Sequence, residues 1–196
     1  MLGPSPLAAA SRVENLRQLT RDTHARLDHA VMAQGIFRDR ARFAGFLRMQ
    51  HGFHADIAPL YARADLLAHF PDLAARTRLD LVAADLCALG GDLPPPRREL
   101  PASSLPLPAA LGWLYVAEGS NLGAAVILKL ASSLGLGVHF GASHLAPAAE
   151  GVANHWRRFT SALDAVALDA HEEADVVAGA RAAFTRVHVH LREAFA

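Results

Sequence analysis

Apolar residues recur at three- and four-residue spacing along almost the whole chain, and no segment alternates apolar with polar as a half-buried strand does. Leu16, Leu19, Thr20, Thr23, Leu27, Ala30 and Val31 fall on one helical stripe. A second stripe, over about 40–63, carries Phe43, Phe46, Leu47, Gln50, Phe53, His54, Ile57, Leu60 and Tyr61. A third helix is expected from about Ala75 to a cap at Gly90. The proline-rich stretch "DLPPPRRELPASSLPLP" then reads as a loop. A fourth helix is expected from Pro108 to about Gly135, followed by the loop "HFGASHLAP" and helices over about 154–165 and 172–195. There is no repeat, low-complexity tract or long linker. The expectation is one all-α domain over 1–196, with 1–11 as a flexible N-terminus.

Composition narrows the classes of function. With 52% hydrophobic residues, the chain of 196 residues can build a substantial core. Lys and Arg number 19 against 19 Asp and Glu, so no excess of cations points to nucleic acid or an anionic membrane surface. The single cysteine, Cys87, excludes an internal disulfide framework and fits a reducing compartment. The opening "MLGPSPLAAASRVENL" lacks the basic start and apolar core of a secretory signal. Leu105 to Val138 is strongly apolar, but Pro106, Pro108, Glu118, Asn121 and Lys129 interrupt it short of the roughly 20 clean residues a membrane span needs. A cytoplasmic protein without membrane insertion is expected.

Inside that apolar stretch lies "VAEGSNLGAAV", with Gly119 and Gly123 one turn apart. Each interior glycine costs a helix roughly 1 kcal/mol relative to alanine. Two readings account for them: tight packing against another helix, which Ala124 and Ala125 also suit, or clearance for a flat ligand lying on the backbone. Ser120 and Asn121 are suited to bonding backbone groups freed by a kink, or to ordering water. His24 shares a face with Thr20, Leu27 and Val31, and is either a hydrogen-bonded core residue or a ligand. Asp28 at i+4 is placed to fix its tautomer. Arg17, seven residues earlier and about 10 Å along the axis, is either a solvated helix end or a partner for an acidic group. Gln50 and His54, at i and i+4, are either a surface-edge pair or polar groups aimed inward. His51 falls off the stripe. An axial imidazole with a cation several ångströms away suits a haem and its propionate edge.

In combination and in order, "THARLDHAVM", "FLRMQHGFH", "GWLYVAEGSNLGAAVILK", "GASHLAP" and "NHWRRF" resemble the haem oxygenases of Gram-negative bacteria that use host haem, over about 16–195. The resemblance implies an all-α fold with haem b, both substrate and cofactor, between a proximal helix and a kinked, glycine-bearing distal helix. It implies His24 as the axial iron ligand and places Gly119, Ser120 and Gly123 over the distal face. Gln50, His54 and Asn121 match positions around a distal water network, and Arg17 and Tyr115 match propionate contacts. The family often has Lys where Arg17 stands; Arg keeps the charge and changes the geometry. Trp156 and Phe184 match aromatic positions best explained by packing. The implied reaction takes haem, dioxygen and electrons from a ferredoxin or flavoprotein reductase to biliverdin, ferrous iron and carbon monoxide, cleaving at one meso carbon. A neutral imidazole suits this chemistry, because a thiolate ligand pushes electron density towards O–O cleavage.

Three rivals differ in class. A haem storage or carrier protein would use the same pocket without turnover. A carboxylate di-iron protein needs Glu-x-x-His pairs, and none of the glutamates here has a histidine three residues on. A helical interaction module without cofactor would leave His24, Gln50 and His54 unexplained.

Overall fold

The computed structural model describes residues 11–95 and 102–196. Within them the chain is helical: α1 (Arg12–Ala33), α2 (Arg40–Ile57), α3 (Ala64–His69), α4 (Leu79–Ala88), α5 (Leu107–Ser120), α6 (Ala124–Ala131), α7 (Val152–Ala165) and α8 (Ala170–Phe195), with short 3-10 turns between several of them. The only strand-like pairings among the described residues are isolated bridges around Gly137. The expected N-terminal segment overlaps the structure at one position. Ser11 accepts from the Glu14 amide and caps α1; 1–10 lie outside the described residues.

Local chemistry explains where the helices differ from the expected bounds. The second stripe continues to Tyr61, but α2 stops at Ile57 because Pro59 has no amide proton to donate; 58–62 tighten into a 3-10 turn instead. The periodicity did not resolve α3. The third helix starts at Leu79, after a 3-10 turn over Leu73–Arg76, and Gly90 ends it at φ +72°. At the other end of the chain, α8 starts two residues earlier than expected, on a capping box in which Asp169 and Glu172 exchange bonds with each other's backbone.

The core joins residues from every helix, with Leu16, Phe43, Leu47, Ile57, Leu60, Leu86, Leu111, Phe159 and Val176 almost fully enclosed. The long α8 is its spine, since α1, α2 and α5 all lie against it. The α5–α8 crossing is the closest of these. A Cβ on Gly112 would run into the backbone of Val176 and Ala180, and one on Gly179 into the backbone of Ala109. By length and composition alone Leu107–Leu134 passes for a membrane span. In the fold, its first half is enclosed between α8 and the rest of the core.

Candidate functional site

The apolar helix expected from Pro108 to about Gly135 is divided. After α5 ends at Ser120, one 3-10 turn spans Asn121–Gly123 before α6 begins at Ala124. The Ser120 hydroxyl donates to the Ala117 carbonyl at 2.7 Å, occupying an acceptor at the break. The two readings of the glycines now separate. A Cβ at Gly123 would meet nothing within 4 Å, and one at Gly119 only the Trp156 ring, at an ordinary contact distance of 3.6 Å. Tight packing of helices uses Gly112 and Gly179, not these two. Gly119, Gly123, Val126 and Leu130 follow the spacing of one helical face, and Val126 is 63% exposed and Leu130 42%. This apolar strip is largely open, with the Trp156 ring beside Gly119.

Of the two readings of His24, that of a hydrogen-bonded core residue needs correction. Leu16 and Thr20 are buried, but the His24 side chain is 57% exposed, because α8 and α7 cover α1 chiefly along its first turns. One ring edge meets Phe184 at 5.9 Å in a T-shaped contact. Nδ1 stands 3.0 Å from Asp28 Oδ2, as the i, i+4 spacing predicts. With Nδ1 bound, Nε2 is the nitrogen available to a metal.

Tyr115 ties α5 to α1. Its hydroxyl bonds Thr20 and it feels the charge of Arg17, while burial pushes its pKa above the ordinary phenol value. Arg17 is exposed and Tyr115 half-buried, and the charge of the first acts on the phenol of the second. One turn beyond this joint on each helix stand His24 and Gly119. Trp156 lies against Tyr115 and Phe159, and Phe184 is core, as packing roles require.

The polar residues of α2 divide. Gln50 is half-buried, whereas His54 is buried, which removes the surface-edge alternative for that histidine. Burial, reinforced by His144, Arg78 and His51, lowers the His54 pKa to about 3, so the ring is neutral, and its Nδ1 has no partner. His51, discounted from spacing, is half-buried with its own Nδ1 unpartnered.

On the other flank of the divided helix, opposite the glycine strip, is a cavity of about 460 Å³. Glu118, Asn121, Ala125, Leu128 and Ser132 line it along one face of the divided helix, with Leu145, Trp156, Arg78 and His155 among the residues from elsewhere; neither His24 nor the two glycines reach it. The sequence reading missed the ionic groups at its floor. Glu118 is buried, accepts from Arg76 Nη1 at 2.9 Å and from the Tyr61 hydroxyl at 3.2 Å, and lies 3.6 Å from His155 Nε2. Arg78 donates to the carbonyls of His144 and Ala146, and Asp85 holds the His144 ring at 2.7 Å. A lone carboxylate inside an apolar run, directly before Gly119, was the available signal for Glu118. Arg76, Arg78 and Asp85 carried none, because their partners are distant in sequence.

The donor set fits a haem. One exposed imidazole is oriented by a carboxylate, the divided helix carries two glycines whose added Cβ would meet no backbone, and a cation acts on a phenol that bonds Thr20, one turn before the imidazole.

Comparison with known proteins agrees. The heme oxygenase family model matches residues 10–193, and the chain belongs to that family. It is 40% identical over 195 residues to heme oxygenase PigA of Pseudomonas aeruginosa, covering 100% of this chain and 98% of that one. It is also 36% identical over 120 residues to a heme oxygenase of Xanthomonas campestris, covering 59% of this chain and 68% of that one. Its fold superimposes on the NO- and CO-bound heme oxygenase of Neisseria meningitidis with a TM-score of 0.90 at 38% identity, over 95% of this chain and 93% of that one. The heme oxygenase of Leptospira interrogans shares the fold alone, at 17% identity and a TM-score of 0.77. The protein is an all-helical, haem-degrading enzyme whose haem is substrate and cofactor together and whose co-substrate is dioxygen.

Proposed function

We propose that the single domain over 1–196 opens haem b at one meso carbon to biliverdin, ferrous iron and carbon monoxide, with His24 as axial ligand and the strip of Gly119, Ser120 and Gly123 over the opposite face. The observation that carries this is the empty space above Gly123: the glycine costs helix stability and relieves no protein clash. Bound haem supplies the iron that activates dioxygen and the ring that is oxidised.

The chain's own residues do the rest. Asp28 holds His24 Nδ1 and keeps Nε2 directed at the metal. Arg17 and Tyr115 take the propionates and set the haem's rotation in its plane. A glycine backbone excludes a side-chain acid from the oxygen site. Gln50 and His54, and Asn121 from the cavity on the other flank of the helix, are assigned to ordering water; His54, neutral at physiological pH, accepts or donates a hydrogen bond without delivering net charge. Electrons come from a ferredoxin or flavoprotein reductase, in the cytoplasm and without insertion into a membrane.

The test is optical. One equivalent of ferric haem is added to the purified protein, then ascorbate in air with catalase present. A sharp Soret band that decays as a broad red biliverdin band appears is expected. A Soret band that persists with the reductase also supplied would make the protein a haem carrier.

A further inference from the structure

Neither the axial histidine nor the glycine strip opens into the cavity of about 460 Å³ on the other flank of the divided helix, so it is a separate space. Its size falls within the roughly 300–1,000 Å³ of sites that enclose small organic ligands. Ala125 and Leu128 from α6, with Val138, Leu145, Pro147 and Trp156, give it a largely apolar lining. One wall is held from behind rather than by contact across the space. Asp85 accepts from the Ser143 and His144 amides at 2.8 and 2.9 Å, and Arg78 Nη1 donates to the carbonyls of His144 and Ala146 at 2.9 and 3.1 Å. These bonds fix the 3-10 turn that carries Leu145 and the chain leading to Pro147. A wall set in advance leaves little ordering for a ligand to impose on entry.

Charge decides the class of ligand. Four ionisable side chains line the cavity: Arg78, Glu118, Lys129 and His155. Glu118 already accepts from Arg76 and Tyr61, and His155 is engaged by Glu150 and Arg76. Arg78 spends only Nη1, which leaves Nε and Nη2 without a partner among the described residues. Lys129, exposed on α6, pairs with no carboxylate among them. The charge left over is positive, half-buried at Arg78 and exposed at Lys129. Glu118, the one carboxylate on the lining, is taken, so nothing is left to hold a cationic ligand.

We propose that this cavity binds a medium-chain fatty acid, its carboxylate on the unengaged edge of the Arg78 guanidinium and its acyl chain along Ala125, Leu128 and Pro147. A guanidinium edge presents two parallel N–H groups that match the two carboxylate oxygens. The apolar lining takes the chain out of water, and Lys129 on the exposed side draws the anion in.

The test is calorimetric titration of the full-length, haem-loaded protein with decanoate, against 1-decanol and acetate. One decanoate per protein is expected, with the Soret band unchanged; decanol should bind at least about tenfold more weakly, and acetate not detectably. Arg78→Gln should weaken decanoate by a similar factor and leave decanol as it was. Ala125→Phe fills the cavity from an exposed position on α6 and should abolish binding of both, so the test stands even if loss of Arg78 loosens the loop. The proposal is overturned if decanoate does not bind below the concentration at which it forms micelles, if Ala125→Phe binds it like wild type, or if decanol binds equally well. Displacement of haem by decanoate would put the acid in the haem cleft and overturn it too. A wild-type protein that forms no Soret band would strike at the haem site alone, and the Ala125→Phe comparison on the haem-free protein would still decide this one.

Discussion

Asp28 Oδ2 and His24 Nδ1 stand 3.0 Å apart on one face of α1, both side chains more than half exposed. In water such a pair contributes little to stability. Its value lies in the tautomer it selects. Asp28→Ala should leave the melting temperature within about 1 °C, consistent with an exposed pair, and weaken haem binding about 10–100-fold. Haem titration followed at the Soret band checks this; unchanged affinity would mean that the carboxylate does not orient the ligand.

The two pairs of glycines should respond oppositely to the same change. Gly123→Ala meets no atom and removes a poor helix former, so it should raise stability by about 0.5–1 kcal/mol. Gly112→Ala collides with the α8 backbone and should cost about 1–3 kcal/mol or more. Urea unfolding of the two variants measures both. A bulky substitution, Gly123→Phe, should preserve the fold and suppress haem turnover.

Acid should weaken the fold through His54. Its folded pKa, about 3, lies far below the unfolded value of 6.5, so below pH 6.5 the unfolded chain binds a proton that the native one refuses. Stability contributed by the neutral ring is present above pH 6.5 and is lost as pH falls towards 3, by up to about 1.4 kcal/mol per pH unit. His54→Gln should flatten the decline in urea midpoint between pH 6.5 and 4. Asp56 and Asp85, whose pKa values are lowered, give up their share only below the ordinary carboxylate range.

Arg17→Ala and Tyr115→Phe should alter how haem sits rather than whether it binds. The expected outcome is a changed ratio of biliverdin isomers, read by chromatography, with Arg17→Lys closer to wild type. Identical isomer ratios in all three would separate this pair from the propionates.

The helices of the fold were legible because burial on one face imposes a period of 3.6 on residues such as Leu16, Thr20, Phe43 and Leu47. The motif around Gly119 was legible as an anomaly, glycine where a helix prefers alanine. Choosing between packing and clearance required coordinates, since only they show that Gly112 carries the contact and Gly123 does not. The exposure of His24 was hidden for a related reason. A helical face says which residues share a side, while how far a neighbouring helix covers that side is decided elsewhere in the chain. The Arg76–Glu118–His155 cluster joins three distant segments, and no local pattern records such a meeting.

Both ends of α1 are fastened. Arg12 is held by Glu173 and by the Leu163 and Val166 carbonyls, and past the other end Ile36 is buried, with Phe37 against Phe43. The segment between is a ruler clamped at two marks, and His24 is a graduation on it. Removing one residue between Thr20 and Gly35 would force part of the helix to rotate by about 100° and shift by about 1.5 Å, which either swings the imidazole away from the Phe184 ring it now touches or tears a clamp loose. Apart from His24 and Asp28, what matters along this stretch is less the exposed side chains than the length.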